Sequence, residues 1–307
     1  MAAVYLLGPT AAGKSALALA IASRLACEII SVDSGQVYRG LDIGTAKPDA
    51  AARRAVVHHL LDIRNPDQPY SAGEFRRDAL ALIAAVEARG HVPLLVGGTF
   101  LYFRALERGL ATLPAADIAA RRAIEADAAQ VGWPALHAEL AQIDPLLAAR
   151  IAPTDRQRIS RGLEVFRLSG QALSTWHAQT VPSARGSSAL RLILAPASRQ
   201  TLYAAVDARF DAMLAAGLVD EVARLRQADY SGALPALRAI GYRQAWSYLA
   251  GELDYPTLVA AGKAASRQYA KRQLTWLRGD PHGHWLDPAG GSVTARVCDL
   301  IKRTRDL

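Results

Sequence analysis

The sequence predicts an α/β fold: a parallel sheet covered by helices and interrupted by an inserted small helical domain. Three observations lead there. Short apolar runs at 4–7, 28–34 and 92–99 alternate with helical stretches, the alternation that builds a doubly wound sheet. The run at 92–99 is nearly all apolar, as a strand buried on both faces must be. From Asp117 to Thr180 the chain becomes rich in Ala, Arg and Leu at helical spacing, with no convincing strand.

Taken in order, Val4–Leu7 reads as a buried strand feeding a Gly-rich turn. A helix follows over 14–26, its Leu17, Ile21 and Leu25 recurring every four residues. "EIISVDS" (28–34) is a second strand that ends in polar residues. A helix covers 71–89, where Gly90 can terminate it, and "VPLLVGGT" (92–99) is the third strand. "VPSARGSS" (181–188) is a loop by composition. "LRLILAPAS" (190–198) returns to strand character, helices run over 200–277, "HWLDP" (284–288) is a last short strand, and a terminal helix follows. The expected organisation is a core, first part, at 1–116, a helical insertion at 117–184, and a second part of the core with basic helices at 185–307.

With 307 residues, 51% of them hydrophobic and 21% charged, the composition is that of a globular protein with a sizeable core and excludes a disordered chain. Lys and Arg number 36 against 28 Asp and Glu, a net charge of +8. Such an excess suits a polyanionic partner without requiring one. Cys27 and Cys298 stand far apart and match no metal spacing, so reduced core thiols are expected. The start "MAAVYLLGPT" lacks a basic n-region and a long apolar core, and no apolar run reaches the roughly 18 residues of a membrane span. A cytoplasmic protein with no membrane partner is expected. "HHLLD" puts His58, His59 and Asp62 close together, but no third ligand group with usable spacing accompanies them, so no zinc site is expected.

The chemistry begins at Gly8-Pro9-Thr10-Ala11-Ala12-Gly13-Lys14-Ser15, which fits G-x-x-x-x-G-K-[ST] between a strand and a helix. The glycines let backbone N–H groups turn toward one anion. The helix start and Lys14 add positive charge, and the Ser15 hydroxyl can bind Mg²⁺. The core is therefore P-loop NTPase-like. In an NTPase a later strand usually ends in an Asp that supports the metal, yet "PLLVGGT" ends in Gly97-Gly98-Thr99. The nearest acid is Asp33, at the end of the second strand and beside the phosphate loop. It can serve as a base on an acceptor, or cap its own turn. Thr45 and Lys47 in "DIGTAKP" (42–48) belong to a lid over the site or to a plain surface loop. Across 238–278, Arg238, Arg243, Lys263, Arg267, Lys271, Arg272 and Arg278 face only Glu252 and Asp254. Lys263, Arg267, Lys271 and Arg278 share one side of a helix, a stripe suited to phosphates. On these residues alone, a small-molecule or nucleoside kinase and a non-catalytic RNA-binding protein both stay open.

The blocks "GPTAAGKS", "SVDSGQVYRGLDIGTAKP", "HHLLDI", "YSAGEFRRDA", "PLLVGGTFLYFRAL", "DRQRISRGLEVFRLSG", "AIGYRQAWSYL" and "RQYAKRQLTWLRG" occur in this order. Together they resemble the bacterial tRNA isopentenyltransferase family, over nearly the whole chain. The resemblance implies transfer of a dimethylallyl group from dimethylallyl diphosphate to N6 of adenosine 37, immediately 3′ of the anticodon, in tRNAs reading codons that begin with U. It implies that residues 8–15 hold the donor's diphosphate with Mg²⁺ on Ser15, and that Asp33 is the base. Thr10 and Thr99 would contact donor or acceptor, and Arg209 would assist at the diphosphate unless it is an exposed helix arginine. For the tRNA anticodon stem-loop it implies contacts from Asp33, Ser34, Gly35 and Gln36, from Arg121, Gln157, Arg158, Ile159, Ser160 and Arg161, and from Arg238, Gly241, Tyr242 and Arg243. A monomer is expected.

Overall fold

In the computed structural model, which describes residues 3–111, 113–179 and 189–305, six strands form one sheet: β1 (Val4–Leu7), β2 (Cys27–Val32), β3 (His58–His59), β4 (Val92–Gly97), β5 (Leu190–Leu194) and β6 (His284–Leu286). Their order is β3-β2-β4-β1-β5-β6, and every neighbouring pair is parallel. β1 and β2 are buried at every position, because helices cover both faces of a parallel sheet. Helices α1 (Lys14–Ala22), α2 (Ala50–Ala55), α3 (Ala72–Ala88) and α4 (Phe100–Arg108) accompany the first four strands. Between β4 and β5 come α5 (Ile118–Val131), α6 (Trp133–Ile143), α7 (Pro145–Ala148), α8 (Arg156–Ser169) and α9 (Leu173–Ala178). Four more, α10 (Arg199–Ala215), α11 (Leu218–Gln227), α12 (Tyr242–Leu249) and α13 (Tyr255–Arg278), precede β6, and α14 (Val293–Arg305) follows it.

Parallel strands put all their carboxyl ends on one edge, and this order sets the ends of β2, β4 and β1 side by side. The residues that leave those ends are Asp33, Gly98 and Gly8. Several elements stop earlier than the apolar runs suggest. β2 ends at Val32 because Asp33 Oδ1 accepts the N–H groups of Gly35 (2.8 Å) and Gln36 (3.3 Å), turning the chain out of the sheet. α1 ends at Ala22, since the N–H groups of Arg24 and Leu25 both return to the Ile21 carbonyl. α3 begins where the sequence places it, with Ser71 and Glu74 closing a reciprocal cap. Residues 50–55 and 58–59 carry no period to read: α2 buries none of its side chains, and β3 is two residues long. The expected loop at 181–188 lies outside the described residues. Among the described residues no helix is long and apolar enough to cross a membrane.

The chain separates into two compact units, Met1–Leu106 with Ala184–Leu307, and Glu107–Ser183. The larger unit holds the sheet. In it α10 and α13 approach so closely that a Cβ on Gly262 would lie 2.0 Å from the Phe210 ring. The helical unit has its own core, which includes Ile124, Leu136, Leu140, Ile159 and Leu163. Beside that core the fully buried Glu164 accepts bonds from Arg121 (2.9 Å), Arg161 (2.7 Å) and the Asp117 N–H (2.9 Å). Burial would raise its carboxyl, but the hydrogen bonds from Arg161 and Arg121 hold it below the ordinary value. This unit takes in residues ahead of 117 because Arg161 also donates to the Pro114 carbonyl at 3.1 Å.

Removing Glu164 leaves the half-exposed Arg121, the partly buried Arg161 and the Asp117 N–H without their shared acceptor. Glu164→Ala should cost about 1–3 kcal/mol of stability in urea unfolding at pH 7. Its carboxyl is depressed in the folded state, so this contribution is present above the ordinary carboxylate range and is lost as the pH falls through the folded value. The gap between wild type and variant should therefore narrow at low pH.

Candidate active site at the carboxyl ends of the strands

After β1 the chain wraps tightly over residues 8–15, with Ala11 and Gly13 at φ of 62° and 88°. Gly8 has no room for a side chain, since a Cβ there would stand 2.3 Å from the Leu194 carbonyl oxygen of β5. Lys14 Nζ donates to the carbonyls of Gly8 (2.9 Å) and Pro9 (2.7 Å). Burial pushes the Lys14 ammonium down to about 7, Arg209 pushes the same way, and Asp33 opposes them. A polyanion arriving at the loop supplies the counter-charge that a fully protonated Lys14 lacks.

The sequence reading missed the residue that ties this loop to the rest of the site. Gln273, buried on α13, accepts the Thr10 N–H at 2.8 Å and donates to the Gly98 carbonyl at 2.9 Å. Tyr269, one turn earlier, reaches the same carbonyl at 3.4 Å. The only sign in the sequence is a Gln on the apolar side of a helix, which periodicity treats as noise.

Asp33 uses one oxygen, Oδ1, for its turn, so capping occupies half of the carboxylate. The Ser34 N–H donates to Thr99 Oγ1 at 3.1 Å, joining the end of β2 to the end of β4. Gln36 does not offer a free amide. Its Oε1 accepts from Ser31 Oγ (2.9 Å), and its Nε2 donates to the carbonyls of Thr45 (3.2 Å) and Ala46 (3.3 Å). The stretch containing Thr45 and Lys47 is held firmly. Glu221, buried on α11, accepts the N–H groups of Asp42, Ile43 and Gly44 and the Tyr242 hydroxyl. Lys47 Nζ donates to the Tyr38 carbonyl, Asp42 and Asp62.

Three cavities meet in this region, and Arg209 of α10 lines each of them, half-buried rather than out on an open helix face. The largest, about 900 Å³, runs along Ala11–Ala16 of the loop and the 46–50 segment. A second, about 290 Å³, is lined by Asp33, Ser34, Gly35, Thr45 and Arg238. The third, about 150 Å³, lies between them and takes Thr10, Lys14 and Ser15 from the loop together with Asp33.

The expected nucleic-acid contacts differ in how far they reach the surface and in what already holds them. Tyr242 is fully buried and spends its hydroxyl on Glu221 at 2.5 Å. Gly241 is buried beside it, at a φ of 92° that favours glycine. Ile159 belongs to the core of the helical unit. Arg121 and Arg161 grip Glu164, and Arg158 pairs with Asp155 at 3.0 Å. The basic stripe on α13 is half neutralised, because Lys263 pairs with Asp211 and Arg267 with Asp207, both at 2.7 Å and both from α10. Lys271, Arg272, Arg278, Arg238, Arg243 and Gln157 are exposed, and Ser160 is partly so.

His59 and Asp62 are likewise spoken for, by Glu28 at 2.7 Å and by Lys47 and Arg53. Among the described residues no group of three or more His, Cys, Asp or Glu side chains could hold a metal ion.

A family model described as IPP transferase matches residues 36–280. The chain is 56% identical over 300 residues to the tRNA dimethylallyltransferase of Thiobacillus denitrificans, covering 97% of this chain and 96% of the relative. It is 54% identical over 308 residues to that of Bordetella pertussis, covering 98% and 97%. A crystal structure of the tRNA isopentenylpyrophosphate transferase from Bacillus halodurans superposes with a TM-score of 0.72 at 35% identity, covering 99% of this chain and 97% of that one. A eukaryotic dimethylallyltransferase acting on tRNA shares the fold, with a TM-score of 0.79 at 23% identity over 99% of this chain and 80% of that one.

Gln273→Leu leaves the Thr10 N–H and the Gly98 carbonyl without their buried partner. Inorganic pyrophosphate should then bind about tenfold more weakly in calorimetry, and equal binding would remove Gln273 from the support of the loop. Pyrophosphate binding by the wild type at pH 8 should take up protons as Lys14 recharges, read by calorimetry in two buffers of different ionisation enthalpy. The uptake should shrink in Lys14→Met.

Proposed function

The chain belongs to the IPP transferase family and is a prenyl transferase acting on tRNA. On that premise we propose that a dimethylallyl group leaves dimethylallyl diphosphate for N6 of adenosine 37, immediately 3′ of the anticodon, in tRNAs that read codons beginning with U. The observation that carries this reading is one cavity lined both by Lys14 and Ser15 of the phosphate loop and by Asp33.

The step balances with these groups. The N6 lone pair attacks C1 of the allyl group while the C1–O bond breaks and its electron pair leaves with the diphosphate. Loop N–H groups, Lys14 and Arg209 meet that growing charge. The N6 proton passes to Asp33 Oδ2, the oxygen that the turn does not use. Exocyclic amines of adenine are poor nucleophiles, so orienting N6 and removing its proton are the tasks a carboxylate can perform. Thr10 lines the same cavity, and Thr99 holds the Ser34 N–H next to Asp33. A kinase reading lacks support, because β4 ends in Gly97-Gly98-Thr99 with no acid to hold a nucleotide's metal.

Ser15, exposed at the first turn of α1 and lining the cavity with Lys14, would be the residue to hold Mg²⁺ through its hydroxyl. When bound, the ion neutralises charge on the departing diphosphate.

A base stacked in an anticodon loop must be extruded to reach Asp33. The 290 Å³ cavity is its route, because it joins Asp33 to the exposed Arg238. Lys271, Arg272 and Arg278 supply phosphate contacts on the larger unit, and Gln157 on the helical unit. The chemical groups all lie in one unit of one chain, so a monomer suffices, working in the cytoplasm where tRNA resides.

Radiolabel from dimethylallyl diphosphate should appear on tRNA and not on AMP or ATP. Asp33→Asn should lower kcat by about 10²–10⁴ with tRNA affinity nearly kept, and full activity in that variant would remove Asp33 as the base. Lys14→Ala should lose far more rate than folding stability.

A further inference from the structure

We propose that Glu221 is a positioning residue for the transfer step: from behind the site it sets the alignment of the Asp33 carboxylate with the entering amine. The inference rests on Asp33 as the base assigned above. Glu221 lies on α11, is 3% exposed, and lines none of the three cavities. Its two oxygens collect four donors. Oε2 accepts the N–H groups of Asp42 (3.0 Å) and Ile43 (2.8 Å), and Oε1 accepts the Gly44 N–H (3.3 Å) and the Tyr242 hydroxyl (2.5 Å). Burial, together with the charge of Glu221, pushes the Tyr242 hydroxyl far above its ordinary value, so it stays protonated and donates at any working pH.

Both segments that Glu221 joins continue into the walls of the 290 Å³ cavity. Gly44 and Thr45 line it from one segment, and Arg238, Ala239 and Ile240 line it from the other, just before Tyr242. Asp33, Ser34 and Gly35 line it as well. One carboxylate behind the cavity thus ties two of its walls together.

The link to Asp33 runs through residues 45 and 46. Their carbonyls accept Gln36 Nε2 at 3.2 and 3.3 Å, and the Gln36 N–H is one of the two that hold Asp33 Oδ1. Gly35 packs so near Thr45 that a Cβ on it would lie 2.9 Å from Thr45 Cγ2. The turn that aims Asp33 therefore leans on the segment that Glu221 holds. That segment is kept in place against its own preference: Ala46 has a φ of 48°, a left-handed conformation that persists in an alanine only where the surroundings impose it. Lys47 fastens the far end through the Tyr38 carbonyl and Asp62, and Glu221 fastens the near end. With the near end released the segment relaxes and the carboxylate loses its aim. The phosphate loop, braced by Gln273, keeps its shape.

The test is single-turnover transfer by the full chain from dimethylallyl diphosphate to tRNA, both saturating, which gives a rate for the step and an amplitude for the competent fraction. Glu221→Gln should lower the rate about tenfold or more with the amplitude kept, since small misplacements of reacting groups cost rates of that order. Pyrophosphate affinity, read by calorimetry, should stay at the wild-type value. Tyr242→Phe deletes only the hydroxyl and should slow the step by a smaller factor, so it carries the test if Glu221→Gln does not fold. The decisive readout is a double-mutant cycle with Asp33→Asn, which keeps the turn but leaves no base to align. In that background each substitution should cost less than about twofold, whereas a merely structural role would carry its full factor over. Equal factors in both backgrounds, unchanged rates in both variants, or pyrophosphate affinity falling in step with rate would overturn the proposal. A fully active Asp33→Asn would strike the base reading and this proposal with it; a slow Asp33→Asn with additive losses would strike this proposal alone.

Discussion

The site depends on three stretches of backbone leaving the sheet side by side with almost nothing between them. Neighbouring strands run about 4.8 Å apart, so the turns that follow β2, β4 and β1 must pass within van der Waals reach of one another. A methyl group at Gly97 would meet the Val32 carbonyl oxygen at 2.0 Å, and one at Gly8 would meet that of Leu194 at 2.3 Å. At Gly98 it would collide with Gln273 Nε2 at 2.4 Å. The first two clashes are with backbone, which cannot step aside, and the third would push Gln273 off its two hydrogen bonds. Because the turns stay close, a single carboxamide from α13 can hold the phosphate loop and the end of β4 at once.

Charge is arranged against the same background. Lys14 and Arg209, both partly buried, line the same cavity together with Asp33. Burial first, and then the neighbouring Arg209, make Lys14 release its proton more readily, against the pull of Asp33. The anion that the loop is built for would complete the balance. Around this centre the 42–47 segment is fastened by the buried Glu221 of α11 and by its own buried Lys47. Gly44 lies flat on the Tyr242 ring, where a Cβ would be 2.4 Å away. Tyr242 thus serves the site by shaping a loop, which explains its complete burial.

On the basic surfaces, charge counted along the chain differs from charge counted across space. Asp207 and Asp211 lie more than fifty residues before the stripe on α13, yet they neutralise Arg267 and Lys263. Glu164 does the same for Arg121 and Arg161 within the helical unit. Arg272 remains exposed and lies over the Tyr269 ring at 5.8 Å, an arrangement that spreads the guanidinium plane toward solvent.

What the sequence determined by itself is local or periodic. The β1 strand, the loop at 8–15 and the capped start of α3 follow from spacing within a few residues, and the run of eight ordered blocks pointed to the family. Asp33 was legible because a parallel sheet delivers the end of each strand to the same edge. Tertiary structure alone decided the rest. Gln273 became a clamp only when α13 was laid over the loop, Gln36 turned inward only when the 42–47 segment folded against it, and the cavity behind Lys14 exists only where α1, α2, β2 and β3 enclose it. Hydrogen-bond partners and enclosed volume are properties of groups distant in the chain, and no pattern of neighbouring residues encodes them.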